Sequence, residues 1–377
     1  MIYSYGTTQQ GPYHVQKNIV CQDFHYIKKL SVDCVIAAVA DGLGSESHSD
    51  VASKIAATES VEYCVANLPS ELTEENASQV ISDSFMHALQ KITDEVAKEN
   101  GDINQYDTTL CLAIYKGSNV YFGQSGDSGA IVLCKDGHYE GITKQQRDEN
   151  GCVFPLAFGK EKWEFGSKSD VASLLLATDG MLEIFFPVLL HSEKVNIYVA
   201  LAQFFMDNLS LKFDEAGEQA VQEKMSAFVQ NIPEKQVNDD KTVLVIVNDS
   251  IRPERLEDSY YQVPNWAELQ KKRQEEFNRL AYPHLYAKEK TEESKEAEVA
   301  TSEATPKADE TNNVSTEAQI TENSKTEKKD DSTDTVTPSD TTETEEKADE
   351  KKEPSGEKSP KILQQITSIF KPKAKKE

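Results

Sequence analysis

The stretch Cys34-Val35-Ile36-Ala37-Ala38-Val39-Ala40-Asp41-Gly42-Leu43-Gly44-Ser45 runs a continuous apolar segment straight into an acidic, glycine-rich turn. A short run rich in Val and Ile, closed by Asp and Gly, reads as a β-strand that ends by delivering a carboxylate to a loop. The same grammar marks strands at 109–115, 119–124, 128–134, 171–178 and 241–247. Segments with helical spacing lie between them, at 49–67, 77–99 and 194–210. Two helical segments follow one another directly after Gly44, and Lys116-Gly117-Ser118 joins neighbouring strands by a tight turn. Strict strand-helix alternation is absent, so the pattern favours an antiparallel, sheet-centred α+β domain with helices packed outside.

The 377 residues are unevenly composed. Apolar residues are dense to about 247, thin out to 286, and almost vanish until the final dozen residues. One globular domain over 1–250, a helical extension over 251–286, and an acidic linker over 287–360 are expected. The linker has no aromatic residue and cannot bury enough apolar surface to offset its ordering entropy, so it is expected to be disordered. At its end, Ile362, Leu363, Ile366, Ile369 and Phe370 share one helical face among flanking lysines, which predicts a short basic amphipathic helix over 361–371. Such a helix is too short to span a bilayer and suits a peripheral membrane surface or a partner groove. A second helix is expected over 264–281, with Trp266 and Leu269 turned to the domain.

A formal charge of −25 argues against nucleic acid as a partner, because phosphate backbones would be repelled. The N-terminus lacks the features of a secretory signal and no apolar run is long enough to cross a membrane, so a cytoplasmic protein is expected. Its six cysteines are widely spaced without a CxxC pair, and the expectation is reduced, buried side chains.

Aspartates recur at strand ends beside Gly, Ser or Thr: Gln22-Asp23, Asp41-Gly42, Gly126-Asp127-Ser128, Thr178-Asp179-Gly180 and Asp239-Asp240-Lys241-Thr242. Each alone reads most simply as a turn. Brought together, they would repel one another unless cations neutralised them, and hard oxygen ligands without a His- or Cys-rich spacing select Mg or Mn over Zn.

In order and spacing these residues resemble the metal-dependent PPM or PP2C protein phosphatases, particularly the divergent bacterial branch. The likeness runs from His14 to about Val247. It includes His14-Val15-Gln16-Lys17 with Cys21-Gln22-Asp23, then Val39-Ala40-Asp41-Gly42-Leu43-Gly44-Ser45 before Ser49-Asp50, Thr108-Thr109-Leu110, the Gly-Asp-Ser turn, Thr178-Asp179-Gly180 and the closing Asp239-Asp240-Lys241-Thr242. The resemblance implies a four-layer αββα sandwich of two antiparallel sheets flanked by helices. It implies hydrolysis of phosphoserine and phosphothreonine in proteins by a metal-bridging hydroxide, opposing Ser/Thr kinases.

By the same resemblance, Asp23, Asp41, Asp179 and Asp239 are the catalytic set. Asp41, the Gly42 carbonyl, Asp179 and Asp239 would hold two Mg or Mn ions, Asp23 would act through bound waters, and Asp127 would add a weaker third metal. Gln22 and Asp240 would support the ligands. Relatives place an Arg five residues before the first catalytic Asp to hold phosphate. Asn18 stands there in this chain, leaving His14 and Lys17 as the candidate phosphate contacts. Leu43 replaces the His that some relatives carry after Asp-Gly, so no general acid is assigned. The stretch 143–165, with Lys144, Arg147, Asp148 and Trp163, falls where relatives carry a mobile flap, although its individual charges read as solvated loop. A non-catalytic adaptor that binds a phosphoprotein is the competing reading, and retention of the costly acid set disfavours it.

Overall fold

The computed structural model describes residues 1–284. The expected acidic linker at 287–360 and terminal helix at 361–371 lie outside the described residues. Residues Met1–Glu275 form one compact unit.

Among the described residues, ten strands build two antiparallel sheets. Their ranges are β1 Ile2–Gln9, β2 Asp23–Lys29, β3 Cys34–Asp41, β4 Leu110–Lys116, β5 Asn119–Ser125, β6 Gly129–Cys134, β7 Tyr139–Gly141, β8 Glu164–Lys168, β9 Val171–Ala177 and β10 Lys241–Asn248. One sheet has the order β1-β10-β9-β6-β7 and the other β2-β3-β4-β5-β8. The helices are α1 Pro12–Lys17, α2 Ser49–Asn67, α3 Glu74–Glu99, α4 Asp179–Phe185, α5 Val199–Met206, α6 Asn208–Leu211, α7 Phe213–Ala216, α8 Glu218–Gln230 and α9 Trp266–Ala281.

Side-chain alternation along the strands separates the layers. In β3, Val35, Ala37 and Val39 point to a shared inter-sheet core with Leu174, Leu176, Leu244 and Ile246. The alternate residues Ile36, Ala38 and Ala40 pack under α2 and α3, against Ala52, Ala56, Ile81 and Phe85. On the far side, Leu175, Val243 and Val245 pack with Phe185, Phe205, Met225 and Phe228 of the helices. The arrangement is an αββα sandwich. Strands buried on both faces have no polar side, which is why their sequences read as continuous apolar runs.

The single helical segment expected at 194–210 resolves into α5 and α6. Asp207 adopts an extended conformation and its side chain accepts the Leu209 N–H at 2.9 Å, starting a second short helix in place of continuing the first. Residues after β10 continue to cover the core: Ile251, Tyr260, Tyr261 and Val263 pack there, and Trp266 is buried against Tyr198. Of the cysteines, none is paired; Cys34, Cys64, Cys111 and Cys134 are buried, whereas Cys152 is exposed. Among the described residues no helix is long and apolar enough to cross a membrane.

Candidate metal centre

The acid set gathers where strands from both sheets end together. Asp23 opens β2 and pairs in register with Asp41 at the end of β3. Asp127 sits in the β5–β6 turn, Asp179 follows β9 and begins α4, and Asp239 precedes β10. Carboxylate oxygens of Asp41, Asp127 and Asp179 all lie within 4.8 Å of one another. Asp239 lines the adjoining cleft together with Tyr13, Asp179, Gly180 and Glu183.

Backbone and hydroxyl contacts fix this geometry. The Asp41 N–H donates to Thr109 Oγ1 at 3.0 Å, while the Thr108 hydroxyl and the Thr109 N–H donate to the Asp41 carbonyl at 2.9 and 2.7 Å. Thr109 is in turn 2.8 Å from the Ser128 hydroxyl, which ties the β4 entry to the Asp127 turn. The Thr178 hydroxyl donates to Asp23 Oδ2 at 2.7 Å. Gly42 must be glycine, because a Cβ there would stand 2.5 Å from the Ser49 carbonyl oxygen.

Asp240 is a buried anchor. Its Oδ1 accepts the Gly11 N–H and its Oδ2 the Gln22 N–H, both at 2.6 Å, and His14 Nδ1 lies 2.9 Å from Oδ2. The Asp240 N–H donates to Asp239 Oδ1 at 2.8 Å, so the anchored residue aims its neighbour. Gln22 reaches the other way, donating through Nε2 to Ser49 Oγ at 2.6 Å at the start of α2. His14 is 5% exposed, and its ring also lies 3.8 Å from Asp239 Oδ1 and beside the Tyr13 ring, 5.8 Å between centres. Lys17 is exposed on α1, and its Nζ lies 6.0 Å from the centre of the Tyr13 ring. Asn18 closes α1 in the left-handed conformation at φ 55°, a helix-ending role that Asn tolerates well.

Burial and mutual repulsion dominate the electrostatics. Desolvation, then the charges of Asp23, Asp179, Asp127 and Asp239, holds the Asp41 carboxyl well above the usual carboxylate range. Desolvation and then Asp240 do the same to Asp23. Burial and the Asp179 charge push Asp127 up to about 6 against the opposing pull of Arg147. Asp239 is also raised, chiefly by burial.

Carboxylates gathered in this way are a donor set that a cation could neutralise. Asp127 is 1% exposed, and its Oδ2 is faced by the Arg147 guanidinium without an aligned hydrogen bond. All-carboxylate donors suit hard divalent ions such as Mg and Mn. Arg147, which the sequence reads as a solvated charge in the flap-like stretch, is instead the cation that the chain supplies to the site, with Nη2 2.5 Å from Asp127 Oδ2 and 3.2 Å from Asp179 Oδ2. Its residue type was plain, but nothing local ties position 147 to positions 127 and 179.

A family model described as protein phosphatase 2C matches residues 10–230. Among solved structures, the Mycobacterium tuberculosis serine/threonine phosphatase PstP/Ppp is 14% identical, with 66% of this chain and 98% of that chain covered and a TM-score of 0.45. The PstP catalytic domain in complex with 2 manganese ions is 16% identical, covering 65% and 97% with a TM-score of 0.44. Serine/threonine phosphatase Stp1 from Staphylococcus aureus is 16% identical, covering 66% and 96% with a TM-score of 0.44. A search of curated protein sequences finds no match. The family match spans more than half of the 377 residues and contains four of the five convergent aspartates, all but Asp239, and the chain belongs to the protein phosphatase 2C family.

Proposed function

We propose that this protein hydrolyses phosphoserine and phosphothreonine in other proteins, using divalent cations held by Asp41, Asp127, Asp179 and Asp239. The observation that carries this reading is the convergence of the Asp41, Asp127 and Asp179 carboxylates within 4.8 Å. Family membership supports the substrate class, and with it a functional pairing with a Ser/Thr kinase.

Bound divalent cations would supply Lewis acidity toward the phosphoryl oxygens and acidify a coordinated water. The chain's own part is positioning. Thr108 and Thr109 hold Asp41 by its backbone, Thr178 orients Asp23, and Asp240 fixes the Asp239 loop against Gly11 and Gln22. Phosphate-ester hydrolysis through a cysteine nucleophile would need a thiol in the cleft, and among the described residues that line it there is no cysteine. Direct attack of water on phosphorus is therefore the reaction the residues favour.

The test is phosphate release from a phosphothreonine peptide by the full chain with Mn or Mg. Turnover that stops with a chelator, and falls about 100-fold or more in Asp179→Asn, is expected. Absence of turnover with either metal would refute the reading and leave the adaptor alternative.

A further inference from the structure

The site's two halves are unequal: the carboxylates are complete, but phosphate recognition has no obvious donor. Asn18 is spent as a helix cap, and His14 is buried with its ring turned to Asp239 and Asp240. None of the described residues that line the cleft beside Asp179 and Asp239 is a lysine or arginine, and the cation that reaches Asp179 comes from outside that lining, from Arg147. Yet a phosphate monoester near neutral pH arrives as an anion at a cluster of carboxylates, and a cationic contact beyond the metals would aid its binding.

Arg147 is built to reach that place. Its loop is latched to the turn carrying Asp127: the Gln146 N–H donates to the Gly126 carbonyl at 3.1 Å, and the Gly126 N–H donates back to Gln146 Oε1 at 2.9 Å. Gln124 Nε2 holds the Lys144 carbonyl at 2.7 Å. Arg147 bridges Val153 across a small hairpin, whose turn is closed by Asp148 Oδ1 accepting the N–H groups of Asn150 and Cys152 at 2.8 Å. The far end of the loop is pinned where the Leu156 N–H donates to the Thr108 carbonyl at 2.8 Å, beside the clamp on Asp41. With both ends fixed, the backbone holds Arg147 at the metal centre while its side chain, 36% exposed, keeps access to solvent.

From this geometry we propose that Arg147 is the phosphate-recognition residue, donating to the phosphoryl oxygens of the substrate. The inference rests on the phosphatase reading above. Guanidinium and divalent cations compete for the same Asp127 and Asp179 oxygens. In the loaded protein the planar fork of N–H donors is released from those carboxylates and is left facing the space that the phosphoryl group enters, where two parallel donors match two oxygens.

The experiment compares wild type, Arg147→Ala and Arg147→Lys as full chains with Mn, measuring peptide hydrolysis and, separately, orthophosphate affinity by calorimetry. Arg147→Ala should raise KM and weaken orthophosphate about 10- to 100-fold, with Arg147→Lys between it and wild type. Thermal melts report whether the fold survives, and the lysine variant serves if alanine disturbs the loop. Unchanged KM and orthophosphate affinity would overturn the proposal. So would a variant that merely binds Mn more tightly, since Arg147 would then be only a counter-charge. If wild type releases no phosphate, the phosphatase reading fails, while the orthophosphate titration still judges Arg147.

Discussion

Asp127 is the residue at which the proposed metal binding would be coupled to folding. Its carboxyl titrates near 6 when folded and near 3.8 in an unconstrained chain, so the folded state holds the proton more tightly. Without metal, the chain should lose stability as pH rises from about 4 through about 6, as charge is forced on the cluster. Mn binding replaces that proton, so its stabilising effect in thermal melts should be larger at pH 8 than at pH 5; equal shifts would contradict the assignment. Asp240 makes a different prediction. Replacing it by Ala leaves the Gly11 and Gln22 N–H groups without their acceptor and His14 without its partner, at a cost of about 3 kcal/mol or more in denaturant unfolding. Because Asp240 also aims Asp239, Mn affinity should fall about 10- to 100-fold in whatever fraction remains folded.

At the scale of the element, α3 begins with a reciprocal cap: the Asn76 N–H donates to Thr73 Oγ1 and the Thr73 N–H to Asn76 Oδ1. Thr73→Ala should cost about 1 kcal/mol by denaturant titration without changing turnover. The apolar spacing alone starts that helix at 77, and the cap moves its origin to Glu74. Strands buried on both faces, such as β3 and β9, were plain in the sequence because nothing polar interrupts them. The edge strands β2 and β8 were not, since their runs carry Lys28, Lys29, Glu164 and Gly166, residues that protect an edge and erase the strand signature. The aspartates were legible because each borders a strand. The anchoring by Asp240 was not, since its partners are 229 and 218 residues away.

Over the whole molecule, the segment after β10 completes the core more than its composition suggests. Trp266, 8% exposed, packs edge-on against Tyr198 with ring centres 5.2 Å apart. Trp266→Ala should therefore destabilise the domain by about 3 kcal/mol, visible as a lower melting temperature. The pairing of β1 with β10, Ile2 opposite Asn248, places the beginning and end of the αββα sandwich side by side. On a translating ribosome this order matters. A nascent chain will already display Asp41, Asp127 and Asp179 while the strand that seats Gly11 and Gln22 against Asp240 is still inside the exit tunnel. Completion of the proposed site should thus come late, only once Asn248 has cleared the tunnel and β10 can pair with β1.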